Sequence, residues 1–244
     1  MSHSTEHNSR PEQSATLFIA ASETDSNLYY ATRFIAPDPF IYLEVKGERL
    51  MVMSDLEVDR ARNQATVDRV LSYSELERRA KSQGVKDPGT IDVIHLVLQD
   101  AGLKDILVPP TFPFARASRL QEVGYRRRTK RDPFYEQRVM KSDDEVRHIE
   151  AAQRATETAV AAAHQHLRRA EIRDNVLWLD REILTSERVK ELINVALMEC
   201  DCVAQHTIVA GGEQACDPHD EGSGPLPAHR SIIFDVFPRS AETR

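Results

Sequence analysis

Thr207–Phe237 reads TIVAGGEQACDPHDEGSGPLPAHRSIIFDVF. A β-favouring run, Val203 to Ala210, enters the glycine pair Gly211 and Gly212 and crosses a polar loop with a Pro218-His219 dipeptide. It re-emerges as Ser231 to Phe237, an apolar run holding one acid, Asp235. A carboxylate buried without a partner costs several kcal/mol, so Ser-Ile-Ile-Phe-Asp-Val-Phe implies a cation, a hydrogen-bond network or a water-filled cleft beside Asp235. A metal ion is one such cation. The simpler readings are that Asp235 serves a turn at the strand end and that His219 sits in solvent.

Upstream, Thr185 or Ser186 can cap a helix over 186–199 with Val189, Leu192, Ile193 and Ala196 on one face. Before it, Ser142 and Glu145 form a capping box opening the longest helix, which runs to about Ala170. Val146, Ile149, Thr156, Val160, Ala163 and Leu167 give that helix one apolar stripe. Trp178, with Leu177 and Leu179, is expected to pack between the two helices.

The composition changes over Lys130 to Met140, and the domain boundary is placed there, with 15–138 before it and 139–244 after it. The front part alternates strands and helices and is expected to be an α/β domain. Thr16 to Ala21 reads as a strand, followed by a short helix capped by Asp25 or Ser26. Phe40 to Val45 and Arg49 to Met53 read as a hairpin about Lys46 and Gly47. Ser74 with Glu77 fits a capping box for a helix ending at Gly84, and Ile91, Ile94, Leu98 and Ala101 repeat at helical spacing up to Gly102. Asp105 to Val108, a helix around Ala115 to Glu122 and a strand near Tyr125 complete the unit. Residues 1–14 are polar and expected to be disordered.

A net charge of −7 argues against a general affinity for nucleic acid or an anionic membrane surface. The basic run Arg126, Arg127, Arg128, Lys130, Arg131 is read as a solvated linker. No apolar run approaches the length of a membrane span, and the polar start lacks the core of a secretory signal, so a cytoplasmic protein is expected. Cys200, Cys202 and Cys216 are an odd count and no disulfide framework. With His206 and His219 they could hold a structural zinc in a small module, although paired Cys-x-x-Cys knuckles are lacking. His164 and His166, two residues apart, cannot chelate one ion as an i, i+4 pair would.

On Gly211, Gly212, Pro218, His219, Asp235 and the helix start Lys141 to Ile149 (KSDDEVRHI), most of the chain resembles the creatinase/aminopeptidase-P, or pita-bread, metallopeptidases of the Xaa-Pro aminopeptidase and prolidase type. The resemblance implies an α/β creatinase-like, RNase H-like N-terminal domain followed by an incomplete α+β pita-bread domain. It implies a hydrolase of peptide bonds preceding proline, with a proline-containing peptide as substrate and a homodimer as its frequent assembly. The family's two divalent cations, manganese foremost and cobalt, iron or zinc otherwise, are held by two Asp, one His and two Glu. On the matching positions Asp235 is a metal ligand and His219 stands catalytically beside the substrate. The family's second aspartate lies further on than the nine residues from Asp235 to Arg244, so the chain is expected to be truncated before four of the five ligands and inactive alone. A non-catalytic peptide-binding scaffold is the alternative.

Overall fold

The computed structural model describes residues 14–240, so that of the expected disordered N-terminus residues 1–13 lie outside it, and Ser14 opens a strand. The chain divides into two compact units, one up to Val139 and one from Met140.

The first unit is built on a six-stranded sheet ordered β4-β3-β2-β1-β5-β6. Its strands are β1 (Ser14–Ala20), β2 (Phe40–Val45), β3 (Glu48–Met53), β4 (Arg69–Ser72), β5 (Asp105–Val108) and β6 (Arg126–Thr129). β2 runs antiparallel to both β1 and β3, while β4, β5 and β6 pair in parallel with their neighbours. Lys46 and Gly47, both at positive φ, make the two-residue β2–β3 turn, which requires that geometry at both positions.

Both faces of the central strands are buried, and the period of two divides them. Leu17, Leu43 and Val52 point into one core with α3 (Tyr73–Ser82), α4 (Thr90–Ala101) and α5 (Phe114–Glu122). Phe18, Tyr42 and Met51 point into the other, with α1 (Ser26–Thr32) and α2 (Val58–Gln64). The chain returns to that second core at Phe134, whose ring meets Phe18 edge-on at 4.8 Å between centroids.

Three details of this unit depart from the sequence reading. The α3 cap is Ser72, which accepts from the Glu75 N–H at 3.3 Å; Ser74 instead donates to Asp55 at 2.8 Å. The same Ser-x-x-Glu spacing occurs two residues earlier than expected, and Asp55 decides between the registers by engaging both serines. α2 and β4 were not foreseen. The basic run is no linker, because Arg126–Thr129 is edge strand β6, with Arg126 forked onto Asp105 at 2.9 and 2.6 Å. Charged side chains on an exposed edge discourage further strand pairing.

The second unit opens with α6 (Asp143–Arg169), whose capping box is the expected Ser142–Glu145 pair. A small meander follows, β7 (Glu171–Arg173), β8 (Val176–Leu179) and β9 (Glu182–Ile183), then α7 (Ser186–Glu199) and the antiparallel pair β10 (Cys202–Gly211) and β11 (Ile232–Ser240). The α6 stripe is shifted: Val146 and Ile149 are exposed, and the face that packs is Ala155, Ala159 and Ala163. Alanines at every fourth position let α6 approach Val189, Ile193 and Leu197 of α7 closely. Trp178 does not fill that interface. It lies on β8 under the Arg173 guanidinium, 5.6 Å from the ring centroid, while Leu177 and Leu179 face the core. Among the described residues no helix is long and apolar enough to cross a membrane.

Phe18 is wholly buried on the central strand and touches the rings of Tyr42, Phe134 and Tyr135. Phe18→Ala is expected to cost about 3–5 kcal/mol, read from the urea unfolding midpoint. Ser142→Ala, which removes one side of the α6 capping box, is expected to cost about 1 kcal/mol in the same measurement.

Candidate functional site

The site-bearing hairpin is asymmetric. Gly211 pairs with Ile232 and Ile208 with Asp235, but Gln205 pairs with Phe237, so His206 and Thr207 both face Val236. This bulge carries His206 at φ 50 and turns its ring toward Glu221, with Nδ1 3.2 Å from the carboxylate. Thr207 is buried and donates to Asn194 Oδ1 on α7 at 2.8 Å.

On β11 the period of two separates Ile232, Phe234 and Val236, which pack against the core, from Ile233, Asp235 and Phe237, which are exposed. Asp235 is therefore not a buried charge. The burial read from its apolar neighbours does not hold, because those neighbours divide between two faces and leave the carboxylate exposed, so burial by itself requires no cation, hydrogen-bond network or cleft beside it.

The loop from Gly212 to Arg230 folds back along β10. After a 3-10 turn, Gly212–Cys216, the Asp217 carboxylate accepts the His219 N–H at 2.9 Å and that of Asp220 accepts the Gly222 N–H at 2.8 Å. Val209 N–H donates to the Glu221 carbonyl, which seats the loop against β10. Gly222 sits at φ +78, and a Cβ there would fall 1.8 Å from the Val209 carbonyl oxygen. From α7, Lys190 donates to the Gly222 carbonyl at 2.9 Å and Glu187 accepts the Gly224 N–H at 3.0 Å. That backbone donor holds the Glu187 carboxyl below the usual glutamate range.

Beyond Gly224 the segment Pro225-Leu226-Pro227 is gripped by the meander. Leu226 donates to the Leu184 carbonyl and accepts from Leu177 N–H, both at 3.0 Å, and its side chain is wholly buried. Pro225 and Pro227 consequently turn outward. Pro227 presses on the glycine pair so closely that a Cβ on Gly211 would meet its Cδ at 2.7 Å, and one on Gly212 its Cγ at 3.1 Å. These glycines serve that contact, and the pair borders an open groove of about 730 Å³ floored by Pro225, Pro227 and Ile233.

The structure thus brings Gly211 and Gly212 to the groove but leaves His219, Pro218 and Asp235 exposed outside its lining. The zinc constellation is not assembled: Cys202 is buried while Cys200 and Cys216 are exposed, and none of the three is in a disulfide. Among the described residues no group of three or more His, Cys, Asp or Glu could hold a metal ion. One exposed carboxylate, Asp235, does not make a divalent-metal centre, so these residues alone do not fit the two-metal group that the resemblance implies. Arg230, Glu213 and the clamp between Gln214 and Ser223 were not anticipated. The alternation of prolines about Leu226 is the sequence signal that could have pointed to their wall.

No family model matches the sequence, and no curated protein matches it. Solved structures do. A prolidase from Pyrococcus furiosus is 13% identical with a TM-score of 0.67 over 93% of this chain. An X-Pro aminopeptidase from Thermotoga maritima MSB8 is 18% identical at 0.67 over 91%, and an Xaa-Pro dipeptidase from Bacillus anthracis is 15% identical at 0.68 over 91%. The chain spans 62, 58 and 55% of their respective lengths.

Two predictions follow from the loop. Gly222→Ala combines positive φ with a main-chain clash and is expected to lower the melting temperature clearly more than Gly224→Ala, which meets only open space and costs about 1–2 kcal/mol of backbone strain. Glu187 has a depressed folded pKa, so its stabilising contribution is present above its unfolded value of 4.5 and is lost as pH falls through the folded value. Glu187→Gln should therefore lower the urea midpoint at pH 7 and converge with the parent chain in acid.

The chain shares its fold with solved prolidases and Xaa-Pro aminopeptidases over nine-tenths of its length.

Proposed function

We propose that this chain is a member of the Xaa-Pro peptidase branch of the creatinase/aminopeptidase-P superfamily, whose reaction is metal-dependent hydrolysis of the peptide bond preceding proline. What carries the reading is a likeness to several proline-directed peptidases that extends over more than nine-tenths of the chain. In this reading residues 15–138 are a creatinase-like N-terminal domain and 139–244 part of a pita-bread domain. Asp235 contributes one carboxylate to a divalent-metal pair and His219 lies beside a proline-containing peptide. Manganese is the first ion to try, since carboxylate ligands suit it. A cytoplasmic setting belongs to the same reading.

Because the described residues hold no metal cluster, the remaining ligands would have to come from outside them. Turnover by the 244-residue chain alone is accordingly expected to be absent. A peptide-binding protein without catalysis is the second reading, for which the groove beside Gly211 would be the binding surface.

The test is proline release from Ala-Pro and from a longer Xaa-Pro peptide in manganese, with bound metal quantified in parallel. Any manganese bound is expected to be lost in Asp235→Asn and kept in His219→Ala, and any hydrolysis to be confined to Xaa-Pro bonds. Unchanged manganese affinity in Asp235→Asn would sink the ligand assignment. Equal cleavage of Ala-Ala would sink the proline-directed reading.

A further inference from the structure

Among the described residues the first unit leaves one edge of its sheet open. β6 lies outermost with all four of its residues exposed, whereas β4 at the opposite edge ends in buried Ser72. The main chain of an edge strand alternates between its one neighbour and solvent. Arg126 N–H donates to the Lys104 carbonyl at 2.8 Å and Lys130 N–H to the Val108 carbonyl at 3.1 Å, so the even-numbered residues bond toward β5. Arg127 and Thr129 accordingly turn their N–H and C=O groups away from it.

The same edge concentrates positive charge. Five of the six residues 126–131 are cations, in a chain whose net charge is −7. Contacts place most of their heads. Arg126 forks onto Asp105 through Nε and Nη2 at 2.9 and 2.6 Å yet stays 75% exposed, so its five-donor guanidinium keeps donors for a second carboxylate. Arg128 reaches over the same sheet face, with Nη2 3.5 Å from Ser14 Oγ, and Lys130 Nζ lies 3.4 Å from Glu136. Arg127 is in register with Ile106 and stands on the opposite face. Cations therefore flank the outward main-chain groups on both faces of the sheet.

We propose that β6 is a docking edge for an acidic, extended segment of a partner protein, which joins the six-stranded sheet as a seventh strand. The outward groups of Arg127 and Thr129 hold its main chain. Acids at successive positions point alternately to the two faces and meet Arg126 and Arg128 on one and Arg127 on the other. Charge complementarity selects this occupant. Like charges set opposite one another repel, so the arginines that keep two copies of this edge apart favour an added strand of opposite sign. A nucleic acid carries the negative charge but no strand main chain to extend the ladder. The surface belongs to the first unit and does not depend on the peptidase reading.

Binding to the full chain is measured by fluorescence anisotropy at about 0.15 M ionic strength, where long-range attraction between exposed charges is screened. The probes are labelled, end-blocked Glu-Val-Glu-Glu-Val-Glu and its neutral counterpart Gln-Val-Gln-Gln-Val-Gln. The acidic peptide is expected to bind about tenfold tighter than the neutral one and to slow hydrogen exchange at the Arg127 and Thr129 amides. Arg127→Glu combined with Arg128→Glu should reverse the preference, favouring Lys-Val-Lys-Lys-Val-Lys. Thr129→Pro keeps every cation and removes only an outward donor, and it should weaken the acidic peptide about tenfold. No binding, equal affinity for the neutral peptide, unchanged exchange at both amides, or undiminished binding in Thr129→Pro would overturn the proposal. So would a twelve-residue oligothymidylate that binds as tightly and displaces the peptide, since charge alone would then explain the attraction.

Discussion

Strand β10 is held on three sides, and the arrangement depends on how closely main chain can approach it. β11 pairs along one edge, the 221–227 segment closes against it, and α7 covers its inner face through Val189, Ile193 and Leu197. Two of these contacts require that no side chain intervene. Pro227 lies against Gly211 and Gly212, and the Gly222 main chain lies where a Cβ would overlap the Val209 carbonyl. A larger residue at any of these positions would push the loop away from β10, taking Pro225 and Pro227 out of the groove floor.

The loop is also tied electrostatically to the first turns of α7. Glu187 accepts from Gly224 and Lys190 donates to the Gly222 carbonyl, one bond of each polarity from side chains three residues apart. Glu187 further benefits from the positive end of the helix. The helix thereby positions a loop distant from it in sequence, and the groove inherits the rigidity of the α6–α7 pair. The outer face of β11, with Ile233, Asp235 and Phe237 in alternation, continues from that groove and places a carboxylate next to an apolar slot.

Much of the architecture was legible from local chemistry. The Lys46-Gly47 turn, the Ser142–Glu145 box and the Gly102 stop each rest on backbone requirements satisfied within a few residues. Where two local solutions competed, sequence could not choose. Ser72 and Ser74 both begin a Ser-x-x-Glu or similar pattern, and Asp55, seventeen and nineteen positions away, settles the α3 start. β7 to β9 are too short to show a period, and the Pro225 to Pro227 segment that bridges to Val176 and Thr185 arrives from far along the chain.

The site divides in the same way. Its residue types and order, the glycine pair, the Pro218-His219 dipeptide and the acid in a β-run, belong to the sequence alone, as does the alternation of strands and helices before them. Whether Asp235 was buried or exposed was a question of which sheet face Ile232 and Ile233 each take, and strand register against β10 decided it. Beyond the prolines about Leu226 the groove had no sequence signature, because its lining comes from three separated stretches, Gly211–Cys216, Ser223–Pro227 and Arg230–Ile233. Long-range packing joins them, since a proline ring can be recognised in a sequence but the glycine it must touch cannot be read until the chain has folded back.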